Sequence, residues 1–229
     1  MADALRNNDD LAVAVKGILG AIPVVGPLAA EIIGATIPNQ RIHRVEDTLR
    51  RLESQLGEQA EQTLRSAMAS PEGLDLIEEA MIQAGRAITE DRRQYIASLL
   101  KNGFSDTERK HEIKKRLIET FDKINDVEVL LLYARALGPG ESRRFWEENR
   151  ETLSRPQTSL GSSSEDFEDA AVYDSYYLNL STLGLIARNK NDKSRIGGNE
   201  LAAQNFKITP FGRMMLAYLD MSVDVGRIY

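Results

Sequence analysis

The chain contains no cysteine and only two histidines among its 229 residues. Without thiols there is no disulfide framework, no thiolate metal site and no cysteine nucleophile. His43 and His111 fall on separate helical patterns flanked by charge. Two such residues make no histidine-rich metal site, and both read as solvated helix positions. Gly17-Ile-Leu-Gly20 with Gly26 lacks the Gly-Lys-Ser/Thr that a phosphate loop needs, and no parallel-sheet pattern surrounds it. Asp106 with Glu112 and Lys114 imitates the acid–lysine set of a nuclease, but on a helical stretch rather than on adjacent strands. The sequence therefore predicts no catalytic residue, no metal and no cofactor.

Charge of one sign is also scarce where polyanion binding would need it. The net charge is −6, which argues against whole-molecule attraction to nucleic acid. The distribution is uneven: Leu180–Tyr229 holds seven Lys/Arg against four Asp/Glu. Any nucleic-acid contact is therefore expected in those last fifty residues. The opening MADALRNNDD is acidic, the reverse of a secretory signal's basic start. The chain reads as cytoplasmic, or as peripheral at the inner face of a membrane.

Against this charged background stands one apolar run, LAVAVKGILGAIPVVGPLAAEIIGATIP, residues 11–38, whose only charges are Lys16 and Glu31. It is longer than the ~20 residues of a membrane-spanning helix. Pro23, Gly26 and Pro27 interrupt it at its centre, where they break or kink a single helix. Two arms, about 11–22 and 28–37, then form an apolar helical hairpin, each arm too short to cross ~30 Å. Gly17, Gly20, Pro23, Gly26 and Pro27 shape it, and its glycines allow close helix approach. Three settings satisfy such a hairpin: burial in a helical bundle, entry into or perforation of a membrane, and docking on a partner or a second copy.

The remainder reads as helices. Ile42, Val45, Leu49, Leu52 and Leu56 repeat at 3-4-3-4 spacing along a long helix. Glu46–Arg50, Asp47–Arg51 and Glu61–Arg65 lie one turn apart on its outer faces. Ser70-Pro71-Glu72 starts a helix with Leu74, Ile77, Met81, Ala84 and Ile88 inward. The next, about 90–101, turns Tyr95, Ile96, Leu99 and Leu100 inward and stops at Asn102-Gly103. Ser105–Glu108 reads as a capping box for a helix with Ile113, Leu117, Phe121 and Ile124 as its stripe. Asp126 caps a further helix ending at Gly138-Pro139-Gly140, and a short amphipathic helix surrounds Phe145 and Trp146.

Three regions follow from this pattern. Residues 1–150 form a helical domain including the hairpin, 151–169 an acidic Ser-rich linker or loop, and 170–229 a small module. In that module a helix over 170–183 precedes a strand at 185–188, a polar tip, a returning strand at 205–209 and a closing helix at 210–219. Helix, hairpin and helix with a basic tip is the layout of a winged-helix domain. Arg188, Lys190, Lys193 and Arg195 are its candidate recognition residues. The expected fold is thus mainly α, a multi-helix bundle with an N-terminal apolar helical hairpin and a C-terminal winged-helix domain. The helix before the wing carries no Lys or Arg, whereas a helix that reads the major groove usually brings one.

The string LSTLGLIAR … FKITPFGRMMLAYL, residues 180–219, resembles the winged-helix tail of bacterial abortive-infection alpha (Abi-alpha) proteins. The matching positions are Gly184-Leu185-Ile186 and Ile208-Thr209-Pro210-Phe211-Gly212-Arg213. RRQYIASLLKNGFS at 92–105 is similar to that family's middle section. The resemblance implies a prokaryotic protein of defence against bacteriophage. The expected function is a non-enzymatic component of such a system, sensing or binding an infection-associated structure or acting on membranes through the hairpin. The alternative is a DNA-binding winged-helix regulator. The partner classes are a protein of the defence system or a phage component, a membrane surface, nucleic acid through the wing, and a second copy of the chain.

Overall fold

A computed structural model describes residues 41–159, 161–188 and 206–221. The apolar hairpin, with Gly17, Gly20, Pro23, Gly26 and Pro27, lies outside the described residues, as do Lys190, Lys193 and Arg195 of the wing. The described chain is mainly helical, with a single two-stranded antiparallel sheet. It divides into two units, Met1–Asp122 and Lys123–Tyr229.

In the first unit, α1 (Ile42–Leu56) buries Ile42, Val45, Leu49 and Leu52 at the predicted spacing. The pairs Glu46–Arg50, Asp47–Arg51 and Glu61–Arg65 form at 2.6, 3.0 and 2.6 Å. The long helix is interrupted at Gly57, whose φ of +58° takes it out of helical geometry. A short 3₁₀ turn, Gly57–Gln59, leads into α2 (Ala60–Met68). Ser70 caps α3 (Pro71–Arg86) by accepting from the Gly73 N–H, with Pro71 in the first turn.

Two details of the buried stripes differ from expectation. On α3 the inward residues are Leu76, Ile77, Ala80, Met81 and Ala84, while Leu74 is exposed and Ile88 lies beyond the helix end at 78% exposure. The buried ridge sits one position away from Leu74, and extended backbone at Ala87 ends the helix before Ile88. On α4 (Glu90–Ser105), Ile96, Leu99 and Leu100 are buried, but the helix continues through Asn102-Gly103. Gly103 is buried instead, 3.8 Å from Leu76 Cδ1 when a Cβ is added.

Nor does Ser105–Glu108 form a capping box. Asp106 Oδ1 accepts from the N–H groups of Glu108 and Arg109, closing a side-chain turn. The next helix, α5 (His111–Phe121), starts later and has Lys110 at its N-cap position with no side-chain cap. It buries Leu117, Ile118 and Phe121 and leaves Ile113 exposed.

The second unit begins with α6 (Asp126–Ala136). Its cap is Asn125, one residue before the expected Asp126, and the capping box is complete. Then come α7 (Pro139–Glu148), α8 (Arg150–Leu153) and α9 (Ser164–Thr182). Strands β1 (Ile186–Arg188) and β2 (Phe206–Ile208) pair Ile186 with Ile208 and Arg188 with Phe206, and α10 (Pro210–Tyr218) closes the unit. α6 packs against α8, α9, β2 and α10, so the expected boundary at 150 falls inside this unit. The expected linker is also shorter than its composition implied. Its Ser163 and Asp166 form the capping box of α9, because Ser and acid are helix-start residues as much as linker residues.

Candidate interaction module

The two halves of the C-terminal motif meet around one turn. α9 ends with Gly184 at φ +76°. The N–H groups of Gly184 and Leu185 donate to the carbonyls of Ser181 and Leu180, at 3.0 and 2.9 Å. That is the Schellman pattern, and its usual apolar partners, here Leu180 and Leu185, are both fully buried. The chain is thereby turned into β1.

Thr209 fastens the returning strand to the same turn. Its N–H donates to the Leu185 carbonyl at 3.0 Å, its hydroxyl donates to the Gly184 carbonyl at 2.6 Å, and the hydroxyl oxygen accepts from Gly212 N–H at 3.0 Å. The last bond caps α10, with Pro210 in its first turn. Gly212 lies so close that a Cβ would sit 2.1 Å from the Leu185 oxygen. Gly184-Leu185 and Thr209-Pro-Phe-Gly212 are therefore two sides of a single hydrogen-bonded joint.

Below it lies an aromatic core. Tyr177 is fully buried, its ring 5.4 Å from Phe206 and 5.8 Å from Tyr173. Burial pushes the Tyr177 hydroxyl far above the ordinary tyrosine range. Burial likewise raises Tyr173, whose hydroxyl donates to the Leu153 carbonyl at 2.8 Å. Glu128, buried at 3% exposure, accepts from Asn125 N–H and from Asn179 Nδ2, linking the start of α6 to α9. Arg155 clasps Asp174 with two parallel bonds of 2.8 and 2.9 Å.

The opposite side of α9 faces solvent with an unusual mixture. Phe167, Val172 and Leu178 are each about half exposed. Glu165, Asp166, Glu168 and Asp169 supply four exposed carboxylates, and the helix has no Lys or Arg. Of the predicted wing residues, Arg188 is described, exposed on β1 opposite Phe206.

In the first unit the structure corrects the solvated reading of His111. Its side chain is 26% exposed, and Nε2 lies 2.9 Å from Asp75 Oδ2 while Lys115 Nζ donates to Asp75 Oδ1 at 2.6 Å. The Lys115 hydrogen bond, opposed by partial burial and joined by that of His111, holds the Asp75 carboxyl below its ordinary value. Beside this cluster is a cavity of about 700 Å³ whose walls include Thr63, Ser66, Phe104, His111 and Lys114. A carboxylate shared between a histidine and a lysine of the neighbouring helix acts as an interhelical clamp. Among the described residues no hydroxyl is hydrogen-bonded to His111 to make it the base of a nucleophile.

His43, by contrast, is a surface residue with its side chain 81% exposed. Lys114 donates to the backbone carbonyl of Asp106, whose carboxylate holds Arg109. Asp106 and Lys114 thus make an ion-pair and a backbone contact, while Glu112 stands in the first turn of α5. Among the described residues, no group of His, Asp and Glu is arranged to hold a metal ion, and no helix is long and apolar enough to cross a membrane. No family model, curated protein or solved structure matches the chain.

Proposed function

We propose that the chain is a non-enzymatic binding component of a bacterial anti-phage system of the abortive-infection alpha type, and that its C-terminal module is a winged helix used to bind protein. The resemblance of residues 180–219 supports the family reading, and the Gly184–Thr209 joint gives its motif residues a physical purpose. One observation carries the choice of partner. α9, the helix before the two-stranded sheet, exposes Glu165, Asp166, Glu168 and Asp169 in its first turns and no Lys or Arg of its own, on a helix that also exposes Phe167, Val172 and Leu178.

A phosphate backbone is repelled by that surface, since DNA affinity rests on Lys and Arg neutralising phosphates. A protein with a basic rim and an apolar centre fits it, the apolar side chains providing burial and the acids orientation. The partner is thus a basic protein, of the defence system or of the phage.

The discriminating experiment is fluorescence anisotropy of labelled duplex DNA at low salt. The protein reading predicts no salt-dependent binding. Binding that weakens with salt and is lost in the triple variant Lys190→Ala/Lys193→Ala/Arg195→Ala would overturn it in favour of a DNA-binding regulator. A membrane role would act through residues 11–38, and liposome flotation with dye release measures it: flotation only with that segment present supports the role, and no flotation removes it.

A further inference from the structure

The second unit contains a basic groove lined by residues of α6, α7 and α8. It is an open groove of about 490 Å³, a volume within the range of small-ligand sites. Arg135 of α6, Arg143 and Trp146 of α7, and Arg150 of α8 line it, with Glu147 as its acid. Three arginines therefore line one groove against a single acidic residue, in a chain whose net charge is −6.

Neighbouring arginines are engaged otherwise. Arg144 pairs with Glu148 at 2.8 Å, and Arg155 with Asp174. The side chains of Arg143 and Arg150 make no hydrogen bond or ion pair among the described residues. Arg135 lies over the Trp146 ring, its Cζ 5.6 Å from the centroid, while Phe145 next to it packs edge-on against Tyr133 at 5.1 Å. The indole thus has the Arg135 guanidinium over one face and forms part of the groove wall.

We propose that this groove binds a nucleotide, its phosphates held by Arg143 and Arg150 and its base stacked at Trp146. Guanidinium forks match phosphate oxygens two at a time and stay charged at every physiological pH. An indole is a good stacking surface for a flat heteroaromatic ring. A simple inorganic anion would use the arginines and leave the tryptophan idle. The site is independent of the role assigned to α9.

Trp146 is the only tryptophan in the chain, so intrinsic indole emission reports on this groove alone. Titration with ATP should change that emission saturably, with the same affinity measured by calorimetry. Arg143→Ala and Arg150→Ala should each weaken ATP binding by about tenfold, the loss expected for one charged hydrogen bond. Arg144→Ala should leave it unchanged. Inorganic phosphate should compete weakly, and adenosine weakly as well, because each carries half of the recognised chemistry. Equal affinity for phosphate and ATP would overturn the base-stacking part. Absence of saturable binding up to about 10 mM ATP, or binding indifferent to both arginine variants, would overturn the site.

Discussion

The Thr209 hydroxyl donates to the Gly184 carbonyl across 2.6 Å, joining residues 25 apart in sequence at the point where α9 ends and α10 begins. The joint places the hairpin strands in register between two helices. Its cost of disruption should exceed that of an ordinary cap, since one side chain bonds both the turn and the Gly212 N–H. Thr209→Ala should therefore destabilise the second unit by about 1–2 kcal/mol, read by urea denaturation, and Thr209→Ser should restore most of it.

Gly212→Ala tests the close approach. An added methyl carbon would sit 2.1 Å from the backbone oxygen of Leu185, which no rotamer change relieves. A loss of about 1–3 kcal/mol is expected. Gly161→Ala, with nothing within 4 Å of the added carbon, is the neutral comparison. Equal stability of the two variants would show that the joint is looser than described.

The buried Tyr177 hydroxyl makes no hydrogen bond of good geometry among the described residues; the polar group beside it is the Tyr173 hydroxyl, which already donates to the Leu153 carbonyl. Tyr177→Phe should then be neutral or slightly stabilising, because it removes a desolvated group and keeps the ring against Phe206. Tyr177→Ala should cost about 3–5 kcal/mol through the cavity it leaves. A clear loss in the Phe variant, measured by the same denaturation, would reveal a bond to that hydroxyl.

The first unit should weaken in acid. Burial pushes the Asp47 carboxyl up, but hydrogen bonds from Arg93 and Arg51 outweigh it and hold the value below the ordinary 3.8. Asp75 is lowered in the same direction by Lys115 and His111. A lowered folded value means that the native state binds fewer protons than the unfolded chain. The stabilisation is complete above the ordinary carboxylate range and disappears as pH falls through the lowered value. Thermal unfolding should be nearly flat in these contributions down to about pH 5 and fall below about pH 4, and Asp47→Asn should flatten the fall.

Local signals in the chain were the legible ones. Ser70-Pro71 and the 3-4 ridge of α1 each depend on neighbours within a turn or two, and both are present, as is the order helix, strand, strand, helix at 164–218. The capping box at Ser105 failed for an equally local reason: Asp106 offered its backbone neighbours a competing side-chain acceptor. Leu74 and Ile88 were misplaced because apolar character alone does not say which of two adjacent ridges meets the next helix. The Asp75–His111–Lys115 clamp joins residues 36 and 40 apart. Only the packing of α3 on α5 brings them together, and no spacing in the sequence records it. The Arg143–Trp146–Arg150 groove was hidden similarly, since its third arginine comes from α6.

The acidic, partly apolar face of α9 is the central claim, and protection against phage measures it most directly. A bacterial host carrying the chain with its native neighbouring genes should plate phage at reduced efficiency. The variant Phe167→Ser/Leu178→Ser changes only half-exposed side chains, so it should accumulate with an unchanged far-ultraviolet dichroism spectrum and lose the protection. Protection that survives this change but disappears in Lys190→Ala/Lys193→Ala/Arg195→Ala would contradict the account and place recognition in the wing.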